Sequence, residues 1–213
     1  MIQVDIEYTH PLGGVSSLTT SSMDKSEIRK IFKKKRSELS SDYVKIHSDL
    51  IAKNFSKNFS DISNQKLAFY LASNNEVDPK FIINNLKNSG NIIALPKIQI
   101  NEKILSFKEY KDGDELEKNI SYSKLLEPKS SSINVIPDIV FVPLVACDIN
   151  CNRVGMGSGF YDATISYFRM NNKKIKFIGL AYNMQFCDKI NNDKWDQSLD
   201  FIVSETRVIS PGQ

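Results

Sequence analysis

The sequence predicts an α/β fold in a single layered domain, with a mostly parallel central sheet flanked by helices. Three observations carry this prediction. Short apolar runs of strand length alternate along the chain with segments of helical period. The strongest run, residues 139–145, is apolar without alternation, as in a strand buried on both faces. The 213 residues, 41% hydrophobic and 25% charged, suit one globular domain whose core needs neither disulfides nor metal. No internal repeat is present.

Residues 1–22 contain Gly13, Gly14 and a Ser/Thr-rich stretch, and lack a basic segment followed by an apolar core. They read as a flexible leader rather than a signal peptide, with the compact domain over residues 23–213. Asp24 and Glu27 have capping-box spacing. The helix they start carries Ile28, Ile31, Phe32 and Leu39 on one side and Lys30, Lys33, Lys34 and Arg36 largely on the other. Ser40 or Ser41 can cap a second helix that turns Val44, Leu50, Ile51 and Phe55 to the core. Residues 67–71 form a strand, and Asp78-Pro79 starts a helix through Phe81, Ile82 and Leu86. Residues 92–95, ended by Pro96, read as a buried strand and 104–107 as an alternating one. Asp112-Gly113 marks a turn, and residues 117–134 read as a polar stretch with a surface loop at 129–132. Strand 139–145, a helix with Thr164, Ile165 and Phe168, and strands 177–181 and 201–203 complete the series.

The 28 Lys and Arg against 25 Asp and Glu leave a net charge of +3, too slight to argue nucleic-acid binding from composition. The most apolar stretch, 139–147, is interrupted by Pro143 and is about half the ~20 residues of a membrane-spanning helix. Cys147, Cys151 and Cys187 are odd in number and lack metal-ligand spacing, so they read as reduced thiols of a cytoplasmic protein. The expectation is a monomer acting on small molecules, with no nucleic-acid or membrane partner.

The most informative segment is Arg153-Val154-Gly155-Met156-Gly157-Ser158-Gly159-Phe160-Tyr161-Asp162, with three of the nine glycines in five positions between a buried strand and a helix. Glycine permits positive φ and close approach of the main chain. Successive amides and the following helix N-terminus can cradle phosphate, with Arg153 as a fixed charge. Spacing alone leaves a ligand-free strand-to-helix connection equally open, and matches neither GxGxxG nor a P-loop. Asp162 fits either a helix cap or a Mg²⁺ ligand.

With its surroundings, this segment resembles a known family. Asp138-Ile-Val-Phe-Val-Pro143, Asp148 and residues 153–162 are similar to the 5-formyltetrahydrofolate cyclo-ligase (methenyltetrahydrofolate synthetase) pattern D-x-V-x-V-P-G-x-x-F-D-x-x-G-x-R-L-G-x-G-x-G-Y-Y-D. Further motifs follow in family order: Lys25 to Arg29 with Arg36, Glu76-Val77-Asp78, Leu95-Pro96, Leu126-Glu127-Pro128, Gly179-Leu-Ala-Tyr182 with Gln185, and Trp195-Asp196 with Leu199-Asp200. The resemblance runs from Lys25 to Glu205.

It implies ATP-dependent cyclisation of 5-formyltetrahydrofolate to 5,10-methenyltetrahydrofolate, with Mg²⁺ as cofactor and release of ADP and phosphate. A formamide oxygen is a poor leaving group; the family phosphorylates it, and nitrogen-10 then attacks. By motif position, Lys25 and Arg29 are implied to contact ATP phosphates from the first helix. The loop Arg153, Val154, Gly155, Met156, Gly157, Ser158, Gly159, Phe160 and Tyr161 is implied to bind ATP, and Met156 to Phe160 part of the folate. Arg153 is implied as electrostatic stabiliser, and Tyr161 as a neighbour of the formyl group. Leu71 and Glu76 are implied to contact the folate, and Asp162 and Asp196 to coordinate Mg²⁺. Each has a plain structural alternative: a solvated basic face for Lys25 and Arg29, a core ring for Tyr161, a strand end for Leu71, a helix cap for Glu76, a surface position for Asp196. Trp195 could flank a ring or merely pack.

The chain departs from the pattern at Ser158, where the family usually has Lys, at Leu144 and Cys151, each for a usual Gly, at Cys147 for Phe, and at Phe160 for the first Tyr. Two other readings stand beside the resemblance. One is a sugar-phosphate or other phosphorylated-ligand enzyme or binding protein on a related scaffold, which has no need of Glu76, Lys25 or Arg29. The other is RNA binding through the basic face 25–36, which no aromatic RNA-binding motif accompanies.

Overall fold

The structure is a computed structural model that describes residues 20–59, 61–122, 124–171 and 174–212. Residues 1–19, most of the expected leader, lie outside the described residues. Thr20 is already buried and its hydroxyl donates to the Lys189 carbonyl (3.0 Å).

The elements in order are α1 (Lys25–Ser37), α2 (Ser41–Asn58), β1 (Lys66–Ala68), α3 (Lys80–Leu86), β2 (Ile92–Lys97), β3 (Ser106–Glu109), β4 (Leu116–Lys118) and β5 (Leu126–Pro128). They continue with β6 (Ile139–Val142), β7 (Ala146–Cys147), β8 (Arg153–Val154), α4 (Phe160–Asn171), β9 (Lys176–Leu180), a 3₁₀ turn (Asn183–Gln185), β10 (Phe201–Val203) and β11 (Val208–Ile209). The seven-stranded sheet runs β11-β10-β9-β6-β1-β2-β3. Its five central strands are parallel, and β11 and β3 pair antiparallel at the two edges.

Strand alternation sorts the core into two layers. Leu67, Phe69, Ile139, Phe141, Ile178 and Leu180 pack with Ile51, Phe55 and Ile82 of α2 and α3. Ala68, Val140, Val142 and Phe177 pack on the other face with Phe160 and Ile165 of α4. Both faces are covered, which is why these strands read as continuous apolar runs. Asp24 caps α1 through the reciprocal box with Glu27, and Ser40 caps α2 by accepting the Tyr43 amide hydrogen.

Several expectations are corrected. Arg36 is buried, not on the solvated side of α1, because it follows Ile28 and Phe32 at four-residue steps on one stripe. Leu50 is exposed, since the buried stripe of α2 is Ser48, Ile51, Ala52 and Phe55, with the Ser48 hydroxyl accepting the Asp78 amide hydrogen (2.9 Å). Helix α3 starts one residue later than Asp78-Pro79 implies, with Pro79 itself at the N-cap, while Asp78 Oδ1 still accepts the Lys80 amide hydrogen (3.0 Å). Strand β2 passes through Pro96 rather than stopping there. The Ala94 carbonyl bonds toward β1 and the Ile93 carbonyl toward β3, so by alternation the N–H missing at Pro96 would face the β1 side, beyond its last pairing. β3 begins two residues later than expected.

The polar stretch 117–134 contains more than a surface loop: most of it belongs to a β4–β5 hairpin, pinned to β2 by Lys97. Its ammonium donates to Glu117 Oε1 (2.8 Å) and to Glu127 Oε1 (2.8 Å), while Glu127 Oε2 accepts the Ile98 amide hydrogen (3.2 Å). The run 139–145 divides at Pro143, and its second half enters the short β7–β8 hairpin on which α1 packs through Ile28 and Phe32.

Phe141 stacks on Phe69 (centroids 4.3 Å) and meets Phe55 edge-on (5.3 Å) at zero exposure. Phe141→Ala is expected to cost about 3–5 kcal/mol of folding stability, measured as a shift in denaturant midpoint without a change in slope.

Candidate active site

Among the five parallel strands the order is β2-β1-β6-β9-β10, so the chain reverses direction across the sheet between β1 and β6. The connection after β1 carries α3 onto one face, and the connection after β6 carries α4 onto the other. The crevice where they part is the usual ligand position in open parallel sheets. A cleft of about 1050 Å³ opens there.

Every residue singled out from the sequence for a site lines this cleft: Lys25, Arg29, Leu71, Glu76, the loop Arg153 to Tyr161, Asp162 and Asp196. The loop leaves β8 and enters α4 through Gly157 (φ +100°) and Gly159 (φ +76°), where a side chain would be strained. Gly155 has no such requirement. Arg29 braces the loop from α1, with Nε donating to the Gly155 carbonyl (2.7 Å) and the guanidinium against Gly157. The Thr164 hydroxyl donates to the Phe160 carbonyl (2.7 Å) and accepts the Leu105 amide hydrogen (2.9 Å), which ties the start of α4 to the approach to β3.

Two cation–carboxylate groups flank the loop. Arg153 is buried; NH2 bonds Asp162 Oδ1 (2.9 Å) and NH1 the Gln197 carbonyl (2.5 Å), while the Gln197 amide also donates to Asp162 Oδ1 (3.1 Å). Burial draws the Arg153 guanidinium below its ordinary range, against the pull of Asp162. The Lys25 ammonium bonds Asp193 Oδ2 (2.9 Å) and Asp196 Oδ2. Burial acts to lower Lys25, but the hydrogen bonds to Asp196 and Asp193 outweigh it and raise it. Asp193, which the sequence reading missed, therefore converges with Asp196 on one positive charge.

This donor set fits Mg²⁺ held partly by phosphate, since that ion takes one or two carboxylates and completes its shell with phosphate oxygens and water. Among the described residues, no group of three or more His, Cys, Asp or Glu could hold a metal alone.

The opposite wall combines a buried carboxylate with apolar side chains. Glu76 is buried beside Arg36 (NH1 to Oε1, 3.5 Å), and its Oε2 accepts the Ser73 amide hydrogen (3.0 Å). Burial raises its carboxyl, with Arg36 and Ser73 opposing. Leu71 both edges the core and lines the cleft. Burial pushes the Tyr161 phenol well above the ordinary tyrosine range, so it remains an O–H donor at neutral pH. Trp195 is 61% exposed at the cleft and packs little.

Other motif residues build the frame. Asp148 accepts from the Asn150, Asn152 and Ile190 amides to form the β7–β8 turn. Gln185 bonds the Leu144 and Val145 carbonyls, and Asp200 accepts the Phe177 amide hydrogen.

A family model described as the 5-formyltetrahydrofolate cyclo-ligase family matches residues 21–205. The 5-formyltetrahydrofolate cyclo-ligase of Haemophilus influenzae is 33% identical over 145 residues, 65% of this chain and 75% of that one. That of Escherichia coli K12 is 31% identical over 147 residues, 67% and 79% of the two chains. Among solved structures, Aquifex aeolicus 5,10-methenyltetrahydrofolate synthetase superposes with a TM-score of 0.70 at 26% identity, covering 89% of this chain and 93% of that one.

Removing Arg36 leaves the Glu76 carboxylate buried without its cation, and raises its carboxyl further. A raised folded-state carboxyl binds its proton more tightly than the unfolded chain does, so stability falls as pH rises through and above the ordinary value of 4.5. Arg36→Met is expected to lose a few kcal/mol at pH 7.5, on the order of a broken buried pair, and distinctly less at pH 4, measured by urea denaturation at both.

Proposed function

The chain belongs to the 5-formyltetrahydrofolate cyclo-ligase family and is an enzyme; from that membership we propose how its own residues carry out the ATP-dependent closure of 5-formyltetrahydrofolate to 5,10-methenyltetrahydrofolate. The observation that carries the reading is the gathering, in one cleft, of a glycine loop, two cation–carboxylate groups and a buried carboxylate beside an apolar wall.

Glu76 accepts hydrogen bonds from the pterin, and Leu71 packs on its ring system; Arg36 keeps the Glu76 carboxylate charged and aimed. A pterin lacking the matching donors takes water from Glu76 without replacing its hydrogen bonds, which gives selectivity. ATP phosphates lie along the loop from Arg153 to Tyr161 and exchange for the carboxylates that now hold Lys25. Asp162 and Asp196, which line the same cleft, would hold Mg²⁺ together with phosphate oxygens, and the ion when bound would neutralise phosphate charge. Arg29, on the cleft wall, holds the loop through the Gly155 carbonyl beside the phosphates.

In the reaction, the formyl oxygen attacks the γ-phosphorus, a new P–O bond forms, and the bond to ADP breaks. Nitrogen-10 then attacks the formyl carbon, its proton is lost, and the C–O bond breaks to release phosphate. The protein's contribution is alignment and charge stabilisation. Arg153, held rigid by Asp162 and Gln197, presents its charge without reorganising. Tyr161 donates its O–H toward the formyl group and does not act as a base.

Purified protein with Mg-ATP and 5-formyltetrahydrofolate is expected to release ADP and build the near-ultraviolet methenyl chromophore together; ADP release without the chromophore would overturn the reading. Arg153→Ala is expected to lower kcat about 10²-fold or more. For Tyr161, the pH–rate profiles of the parent and Tyr161→Phe are expected to run parallel from pH 7 to about 10, the variant uniformly slower. A limb found in the parent alone would make the phenol a titrating group.

A further inference from the structure

Ser158 sits at the tip of the glycine loop between two positive-φ glycines, and it is exposed and uncharged. The loop is nonetheless not without a cation there. Lys103, from the connection between β2 and β3, reaches across with its ammonium donating to the Ser158 carbonyl (3.0 Å) and lying 4.9 Å from the centroid of the Phe160 ring. Lys103 lines the cleft with the loop. Its base is fixed: two residues on, the Leu105 amide is held by buried Thr164, whose hydroxyl also bonds the Phe160 carbonyl. The lysine is thus anchored to the same helix start that carries the loop.

Two of the cleft lysines, Lys25 and Lys103, have partners that differ in kind. Lys25 is met by Asp193 and Asp196, so its charge is compensated until an anion displaces them. Lys103 is met by a carbonyl dipole and a ring face, both of which attract an ammonium without neutralising it. Among the described residues no carboxylate pairs with Lys103, so an ammonium with its charge still available stands at the tip of the glycine loop, beside the start of α4, where an anion can meet it.

Resting on the reading under Proposed function, we propose that Lys103 binds the phosphate chain of ATP, supplying from a separate segment the positive charge that the loop lacks at Ser158. One ammonium–phosphate hydrogen bond corresponds to about a 10- to 100-fold change in affinity.

The test compares the parent with Lys103→Ala, Lys103→Arg and the double variant Lys103→Ala/Ser158→Lys, each checked by thermal melting. Lys103→Ala is expected to raise KM for ATP about 10- to 100-fold and leave KM for 5-formyltetrahydrofolate within about twofold. Lys103→Arg is expected to recover part of the loss, and the double variant to restore ATP binding by putting the charge back on the loop. An unchanged KM for ATP, or a rise confined to the folate, overturns the assignment. Calorimetric binding of ATP, read on the same four proteins, separates the two ideas. If the parent forms no methenyl product, the cyclo-ligase reading has failed, and the loss of ATP affinity in Lys103→Ala still decides the role of this lysine.

Discussion

The direction of five parallel strands and one reversal in their order govern the rest of the molecule. Because β1, β2, β6, β9 and β10 run the same way, their connecting segments toward the helices leave from one edge of the sheet. Because the order reverses between β1 and β6, α3 and α4 lie on opposite faces. The cleft is what remains uncovered. The two buried layers hold this arrangement, and the hairpin pinned by Lys97 and Glu127 adds a wall that the sheet alone does not supply.

Charges in and beside the cleft, buried or half-buried, are met by partners. Arg153 with Asp162, Lys25 with Asp193 and Asp196, and Arg36 with Glu76 offset the desolvation that an unpaired charge would suffer. Ligand binding there becomes an exchange of partners rather than the burial of new charge. Lys103, on the exposed rim, needs no carboxylate to be tolerated, and its neutral partners leave its field directed at the loop.

The departures from the family pattern are accommodated locally. Leu144 is buried, and Gly179 makes room for it: a Cβ on Gly179 would come within 2.9 Å of Leu144 Cδ2 and 2.7 Å of Leu199 Cδ1. Cys151 adopts φ +60°, a left-handed conformation that costs a side-chain-bearing residue roughly 1–2 kcal/mol, at the position where the pattern has Gly. Its side chain is buried in the α4-side core, and burial raises the thiol to about 12, which keeps it protonated and inert. The frame around the loop therefore survives these substitutions.

The sequence by itself determined the fold class, the N-cap of the first helix, that of the second to within one residue, the buried strands and the loop between β8 and α4, because these depend on periodicity and on residue types with local conformational preferences. The order of family motifs also identified the residues that meet in the cleft, although many motif residues, among them Asp148, Gln185 and Asp200, turn out to hold backbone amides or carbonyls. Only the tertiary structure decided that Arg36 is buried against Glu76, that Asp193 joins Asp196 on Lys25, and that Lys103 lies over Ser158. It also decided that β2 continues through Pro96 and that residues 117–134 contain a hairpin. These depend on contacts between segments far apart in the chain, where what a side chain meets is set by the packing of other elements and leaves no period or local preference to read.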